Sequence, residues 1–223
     1  MPTYTIYGDA ADAELQSTAA TYTAARAGTG TVSNMGAGAT TLAAGQMFFF
    51  GTYYCVESCI GFDTSSIPDG ETVDSATLSL YGVSDDSTTD FTLEARSHDW
   101  GTSVTSADFV AGASLGGLTL LASRSLSGWS ASGYNDLTSD AAFPGAINKT
   151  GFTRLLLNSS RHRLGNTPSD GVFEFVNWHS ADQSGTTQDP RLVVVTSAGG
   201  TQYDESLTLG ATAGATASPA QTM

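Results

Sequence analysis

The sequence predicts an all-β protein, an antiparallel two-sheet β-sandwich of jelly-roll type with an extended C-terminal tail. Short runs rich in Val, Leu, Phe, Thr and Tyr recur at fairly even spacing, bounded by Gly, Pro, Asp, Asn or Ser. Helical periodicity is nearly absent. At 223 residues the chain is long enough for one large sandwich to bury a core.

Nine segments have the composition and the boundaries of strands. In chain order they are residues 3–7, 46–50, 54–62, 75–82, 91–97, 118–123, 151–158, 172–177 and 191–196. Two short helical turns are predicted near residues 106–110 and 137–143.

Alternation of side chains predicts which face of a strand is buried. Ala76, Leu78 and Leu80 alternate with Ser and Thr, and should therefore point into the core. By the same rule Glu94 and Arg96 should point outward. The runs FTRLLLN and RLVVVT are more continuously apolar, which is typical of central strands covered on both faces.

The C-terminal segment 198–223 differs in composition from the rest of the chain. It is rich in Gly, Ala and Thr, which is typical of a segment that does not form a core by itself. Its piece YDESLTLG, with Tyr203, Leu207 and Leu209, would suit strand addition to the open edge of another chain. We therefore predict a sandwich domain over 1–197 and a tail over 198–223 that makes subunit contacts; the alternative is packing along its own domain.

The charge limits the partners. The 22 acidic residues outnumber the eight Lys and Arg, for a formal net charge of -14. Nucleic acid, which is bound by clustered Lys and Arg, is therefore excluded as a partner, and anionic membranes are disfavoured. No apolar run reaches the roughly 18 to 20 residues of a membrane span, and the N-terminal residues lack the pattern of a secretion signal. We expect synthesis in a cytoplasm without membrane insertion.

Cys55 and Cys59 lie four residues apart. In a strand they would share a face about 13 Å apart, which is too far for a disulfide. Two free thiols are expected; a disulfide would need a bulge or turn at Glu57, and a metal site lacks enough ligands.

No catalytic arrangement stands out, and we expect no enzyme. Four acidic side chains could form a glycosidase pair only by coincidence of folding: Glu57, Asp63, Asp99 and Asp136. The three histidines could belong to a Ser-His-acid triad only through a geometry that the sequence does not give. His162, within RHR, is predicted to be a surface contact, and His98 and His179 to be edge residues satisfied by hydrogen bonds.

The acidic loop SDDSTTD offers oxygen ligands for a calcium ion at Asp85, Asp86 and Asp90. The loop lacks the glycine and terminal glutamate of an EF-hand, and a solvated turn is the alternative. No other cofactor is indicated.

Three aromatic residues are candidates for an exposed sugar-stacking face. Trp129 and Tyr134 surround a Gly-rich turn, and Trp178 ends a predicted strand. The alternative is that these rings belong to the core.

The segment GFDTSSIPDGETVDSATLSLYG, residues 61–82, resembles the signature of DNRLRE-type β-sandwich domains. In that signature a strand ending in Phe-Asp leads through a Pro-Gly turn into a Ser-Ala-Thr-Leu strand. HDWG, SGWSASGYNDLTS and DPRLVVVTS follow in the order those domains show, so the resemblance extends over about residues 4–197. Related strands often carry arginines beside the Phe-Asp element, where this chain has Glu57 and Gly61.

The opening MPTYTIYGDAADAELQS and the low-complexity C-terminal segment are similar to minor tail and other structural proteins of actinobacterial phages. This resemblance implies a structural component of a tailed-phage virion, either a minor tail or a capsid-decorating protein. Its expected partners are other virion proteins and its own copies, and its expected location is the virion. The alternative is a carbohydrate-binding module or host-surface adhesin that binds a cell-surface glycan.

Overall fold

The computed structural model describes residues 1–35 and 38–199 and confirms the all-β fold. In these residues thirteen strands pair antiparallel in one curled sheet. The strands are β1 (Thr3–Tyr7), β2 (Ala13–Ala19), β3 (Thr31–Asn34), β4 (Thr41–Phe49), β5 (Thr52–Asp63), β6 (Glu71–Asp85), β7 (Thr92–Ser97), β8 (Leu120–Ser125), β9 (Tyr134–Asp136), β10 (Thr138–Ser139), β11 (Phe152–Ser159), β12 (Phe173–His179) and β13 (Arg191–Ala198). Two short helices, α1 (Tyr22–Arg26) and α2 (Ser160–Leu164), and three 3-10 turns complete the described chain.

The sheet bends at the long strand β6. Its residues 71–79 pair with β13, whereas its residues 82–85 pair with β12. A strand that changes partners along its length turns the corner between two layers. One layer contains β1, β13 and the first part of β6, and the strands β12, β4, β5, β11, β7 and β8 continue into the other.

The main core lies between these layers. Ala76, Leu78 and Leu80 of β6 are fully buried, which confirms the predicted inward face. Leu192 and Val194 of β13 extend the same cluster, which strands of the other layer complete. The predicted Ser-Ala-Thr-Leu strand is therefore a main wall of the core.

A second apolar cluster covers the other face of the central strands. Trp100, Val104 and Leu115 come from the loop after β7 and pack over Cys59 of β5 and Leu156 of β11. This loop explains why the run FTRLLLN is covered on both faces, as predicted. The run RLVVVT forms β13 between β1 and β6, but its outward valines are only partly buried, so for this strand the prediction was wrong.

The outward orientation predicted for Glu94 and Arg96 does not expose these side chains to solvent. Both side chains are buried, and Nη2 of Arg96 lies 2.8 Å from Oε2 of Glu94. Alternation placed them correctly on the face opposite Leu93, but α2 covers this face. A polar residue on the outer face of a strand is exposed only where no other element packs on it.

All nine predicted strands are present, several of them longer than predicted. The sequence patterns missed β2, β3, β9 and β10, as well as α1 and α2. The 3-10 turn Ser106–Asp108 falls in a predicted helical turn. The turn predicted at 137–143 was wrong, because Thr138–Ser139 pairs with β8 and the 3-10 turn begins only at Pro144.

Strand β13 continues to Ala198, one residue past the predicted end of the sandwich. Tyr203, Leu207 and Leu209 lie outside the described residues. Among the described residues no helix is long and apolar enough to cross a membrane.

Candidate functional site

A groove with a volume of about 630 Å³ crosses the outer face of the sheet between β2 and β12. Strands β5 and β4 lie side by side between them and form its floor. Its polar lining consists of Glu14, Gln16, Asp86, Thr88 and Asn177. Its apolar lining consists of Ala43, Met47, Val56, Phe173 and Phe175.

Strand register explains why a groove forms here. Gln16, Val56, Gly45 and Phe175 lie directly opposite one another on four adjacent strands. The inner two positions carry small or medium residues and the outer two carry long ones, so the row is concave. Gly45 is required for this close approach, because a Cβ there would lie 2.8 Å from Cα and Cδ1 of Phe175.

One wall of the groove is a fixed hydrogen-bond network. The side-chain amide of Asn177 donates to Oγ of Ser84 at 2.9 Å and to Oδ2 of Asp86 at 2.8 Å. The Ser84 hydroxyl also donates to this Asp86 oxygen at 2.9 Å. Two donors thus hold Asp86 beside the groove.

The opposite wall carries Glu14, which is partly buried. Burial raises the pKa of its carboxyl to about 7, although a hydrogen bond with the backbone of Ala43 acts in the other direction. The groove lining contains two carboxyl groups and no Lys, Arg or His. Its electrostatics therefore disfavour an anionic ligand.

An aromatic patch, defined here as Phe49, Phe50 and Phe173, adjoins the groove. Their exposed fractions are 37%, 87% and 37%. The ring of Phe49 lies 4.2 Å from that of Phe50 and 5.6 Å from that of Phe173, measured between centroids. Phe173 belongs to both features, so the patch and the groove form one continuous surface.

Phe50 lies in an unfavourable backbone conformation. It and Gly51 form the two-residue loop between β4 and β5, with φ angles of 46° and 77°. Tight hairpins with two positive φ angles prefer Asn-Gly, because bulky L-residues are strained there. The pattern had predicted Phe50 as a strand residue, and that was wrong.

The predicted sugar-facing aromatics do not share one exposed face. Trp178 is fully buried in the core, so its prediction was wrong. Trp129 packs partly buried against the same core. Tyr134 donates its hydroxyl to the carbonyls of Thr187 and Asp189, and the guanidinium of Arg191 lies 3.7 Å from its ring centroid.

The predicted calcium ligands have separate local partners. Asp85 accepts hydrogen bonds from the backbone and hydroxyl of Ser87, whereas Asp86 belongs to the groove wall. Asp90 is exposed. Within residues 1–35 and 38–199, no three His, Cys, Asp or Glu side chains are grouped to hold a metal ion.

His162 is not a surface residue, which corrects the prediction. Its ring is fully buried, with Nδ1 3.4 Å from Oε1 of Glu57, which is also fully buried. Burial raises the pKa of Glu57 well above its ordinary value and lowers the pKa of His162 to about 4. Oε2 of Glu57 accepts a hydrogen bond from the backbone N–H of Val110 at 3.0 Å. The loop after β7 therefore contacts this buried carboxyl group.

The other titratable candidates are dispersed. The carboxylates suggested as partners of Glu57 are exposed side chains: Asp63, Asp99 and Asp136. His179 Nδ1 lies 3.4 Å from the carbonyl oxygen of Thr40, as expected for an edge residue. Nε2 of His98 is buried with no partner among the described residues, so that prediction was wrong for this atom. Cys55 and Cys59 are free and buried, as expected.

Sequence reasoning missed the groove and the patch. Glu14 and Gln16 lie in the unpredicted strand β2, where only the alternation of Ala13 and Leu15 with polar residues signals a half-buried strand. The FFFG run does carry a signal for the patch, because three phenylalanines before a glycine cannot all be buried at a hairpin end.

Searches with this sequence found no matching protein-family model and no matching curated protein.

Proposed function

We propose that this chain is a structural component of a tailed-bacteriophage virion, a minor tail or capsid-decorating protein, that acts by binding other protein chains. The virion assignment rests on the resemblance of its sequence to phage structural proteins. Its partners are other virion proteins and further copies of itself. The single observation that carries the binding role is Phe50, which is strained and 87% exposed within the aromatic patch.

The strain at Phe50 supports this role because the exposed ring does not offset the strain by packing into the core of its own chain. A non-glycine residue in this left-handed region costs on the order of 1 to 3 kcal/mol. The ring lies against that of Phe49 and is 87% exposed. Contact with another chain would bury it, and aromatic residues are enriched in the buried centre of such interfaces.

Charge supports the same surface as the point of contact. A net charge of -14 makes copies of the chain repel one another. The three patch residues carry no charge, so contact through them adds no charge repulsion of its own.

A non-catalytic role is supported by the position of the strongly perturbed groups. Glu57 and His162 have shifted pKa values of the kind seen in active sites, but both are fully buried. Neither can touch a substrate, so we assign them to the interior of the fold.

Replacing Phe50 with asparagine should separate stability from assembly. Phe50→Asn relieves the turn, and we expect the melting temperature to rise by roughly 2 to 4 °C, or about 1 kcal/mol. In light scattering at increasing concentration we expect the wild-type chain to self-associate and this variant to remain monomeric. Leu164→Ser is the matched control, since Leu164 is 61% exposed but lies outside the patch.

The assembly role of the patch would be contradicted if Phe50→Asn associated as the wild type does. A wild-type chain that stays monomeric at every concentration, alone and mixed with purified particle proteins, would contradict it as well.

A further inference from the structure

We infer that the groove between β2 and β12 is a binding site for a neutral saccharide. This inference is independent of the virion proposal, because it rests on the groove and would hold for any protein with this surface. The groove volume of about 630 Å³ is within the range of small-molecule sites.

The charge of the lining selects against anionic ligands. Glu14 lines one wall and Asp86 the other, and no cationic side chain is among the lining residues. A uronic acid, a sulfated sugar or a phosphate would have no partner for its charge and would be repelled. The ligand must therefore be neutral or cationic.

The hydrogen-bonding groups favour a ligand rich in hydroxyls. Asn177 lines the groove and uses its amide N–H groups on Ser84 and Asp86, so its side-chain carbonyl oxygen is the group left to accept from a ligand. In the described part of the chain, Oδ1 of Asp86 and the carboxamide of Gln16 also have no hydrogen-bond partner. A hydroxyl both donates and accepts, so one sugar ring can satisfy acceptors and a carboxamide at once.

The apolar groups supply the stacking surface. The ring of Phe175 lies against the backbone of Gly45, since a Cβ there would be 2.8 Å from its Cδ1. Phe173 and Met47 continue the apolar wall and lie directly opposite each other on β12 and β4. The C–H face of a pyranose can pack on such rings while its hydroxyls reach the polar wall.

A basic peptide is the competing ligand, since Glu14 and Asp86 would attract it. The saccharide is favoured because the lining sets the carboxamides of Gln16 and Asn177 beside the carboxylates, and a hydroxyl can both donate to and accept from a carboxamide, whereas an ammonium only donates. The test below distinguishes the two.

The test is isothermal titration calorimetry of the full chain with neutral hexasaccharides of glucose, galactose, mannose and arabinose. Hexalysine and a hexagalacturonide serve as charged probes. We expect one neutral hexasaccharide to bind and the charged probes not to bind. Asn177→Ala removes the amide of one wall, and Ala43→Leu fills the floor; each should weaken binding by about tenfold or more.

Two controls keep the result specific. Asn166→Ala changes an exposed asparagine outside the groove lining and should bind as the wild type does. Phe50→Asn should also retain binding, so failure of the groove and failure of the patch can be told apart. Circular dichroism and melting temperature confirm that each variant is folded.

The inference would be overturned if no neutral hexasaccharide binds, or if hexalysine binds instead. It would also be overturned if the folded Asn177→Ala and Ala43→Leu chains bound the sugar as tightly as the wild type does.

Discussion

Replacing Glu94 with alanine is expected to lower the melting temperature by roughly 10 °C, because the change leaves a buried positive charge without its partner. Oε2 of Glu94 accepts hydrogen bonds from Nη2 of Arg96 and Nε of Arg163, both at 2.8 Å, and from the amide of Asn158 at 3.1 Å. Oε1 accepts a further bond from Nη2 of Arg163 at 2.7 Å. The carboxylate thus joins β7, β11 and α2.

The balance of charge favours an ionised Glu94. Burial raises the pKa of its carboxyl, but hydrogen bonds from Arg163, Arg96 and Asn158 outweigh burial and hold the pKa below its ordinary value. Removing one member of a buried ion pair costs about 3 to 5 kcal/mol, and each kcal/mol lowers the melting temperature of a chain this size by roughly 2 to 4 °C.

Thermal unfolding of Glu94→Ala and Asp99→Asn provides the comparison. Asp99 also pairs with an arginine, Arg154, but its side chain is 79% exposed, and exposed pairs contribute about 0 to 1 kcal/mol. A loss in Glu94→Ala no larger than that in Asp99→Asn would refute the role of burial.

The free energy of unfolding is expected to fall as the pH rises from about 6 to 8.5. Asp12 is buried, and its pKa is raised to about 7, first by burial and also by the nearby charges of Asp182, Asp189 and Asp9. Only the hydrogen bond from the backbone of Ala181 to Oδ2, at 2.9 Å, acts in the other direction.

The free energy of unfolding falls with rising pH because the folded chain binds more protons than the unfolded chain. Between about pH 4 and pH 7 the folded chain holds a proton on Asp12 that the unfolded chain has released. This stabilises the folded state below the unfolded pKa and is lost as the pH rises through the folded pKa near 7. Glu14, with its pKa also near 7, acts in the same direction. We expect each group to account for about 1 kcal/mol of this loss between pH 6 and pH 8.5.

His162 acts in the opposite direction, but mainly at lower pH. Its folded pKa of about 4 lies below its unfolded value near 6.5, so stability is lost as the pH falls through that interval. Measurements above about pH 6.5 therefore report mostly on the carboxyl groups.

Urea unfolding at several pH values tests this account with Asp12→Asn, which keeps a polar side chain that cannot ionise. Its stability should depend less on pH than that of the wild type. Asp69→Asn, at an exposed position, should leave the slope unchanged. Equal slopes in all three chains would show that Asp12 does not carry the effect.

The local sequence pattern was sufficient to predict the core strands, but not the residues that line the groove and the aromatic patch. The alternation of Ala76, Leu78 and Leu80 predicts both a strand and its inner face, because core packing and strand propensity agree there. Strand β2 was missed because Glu14 and Gln16 occupy its outer positions, where they line a groove and weaken the apolar signal.

The burial of charged residues could not be predicted, because it depends on contacts between distant segments. The sequence RHR is typical of an exposed loop, yet His162 is enclosed by the strand that carries Glu57 and by the backbone near Gly112. Phe50 lies in the loop because the β4–β5 hairpin turns at this residue. The pairing register of the two strands sets the position of the turn, and composition alone does not reveal that register. Trp178 appeared to end a strand among polar residues, although β12 carries it into the core.

The most direct test of the central claim is whether the chain belongs to a phage particle. Tailed-phage particles produced by the host that carries this gene would be banded on a density gradient, and the chain would be quantified across the gradient by mass spectrometry. We predict that the wild-type chain bands with the particles at a constant ratio to the major capsid protein, and that Phe50→Asn remains at the top of the gradient. A wild-type chain that is absent from the particle band would contradict the assignment as a virion component.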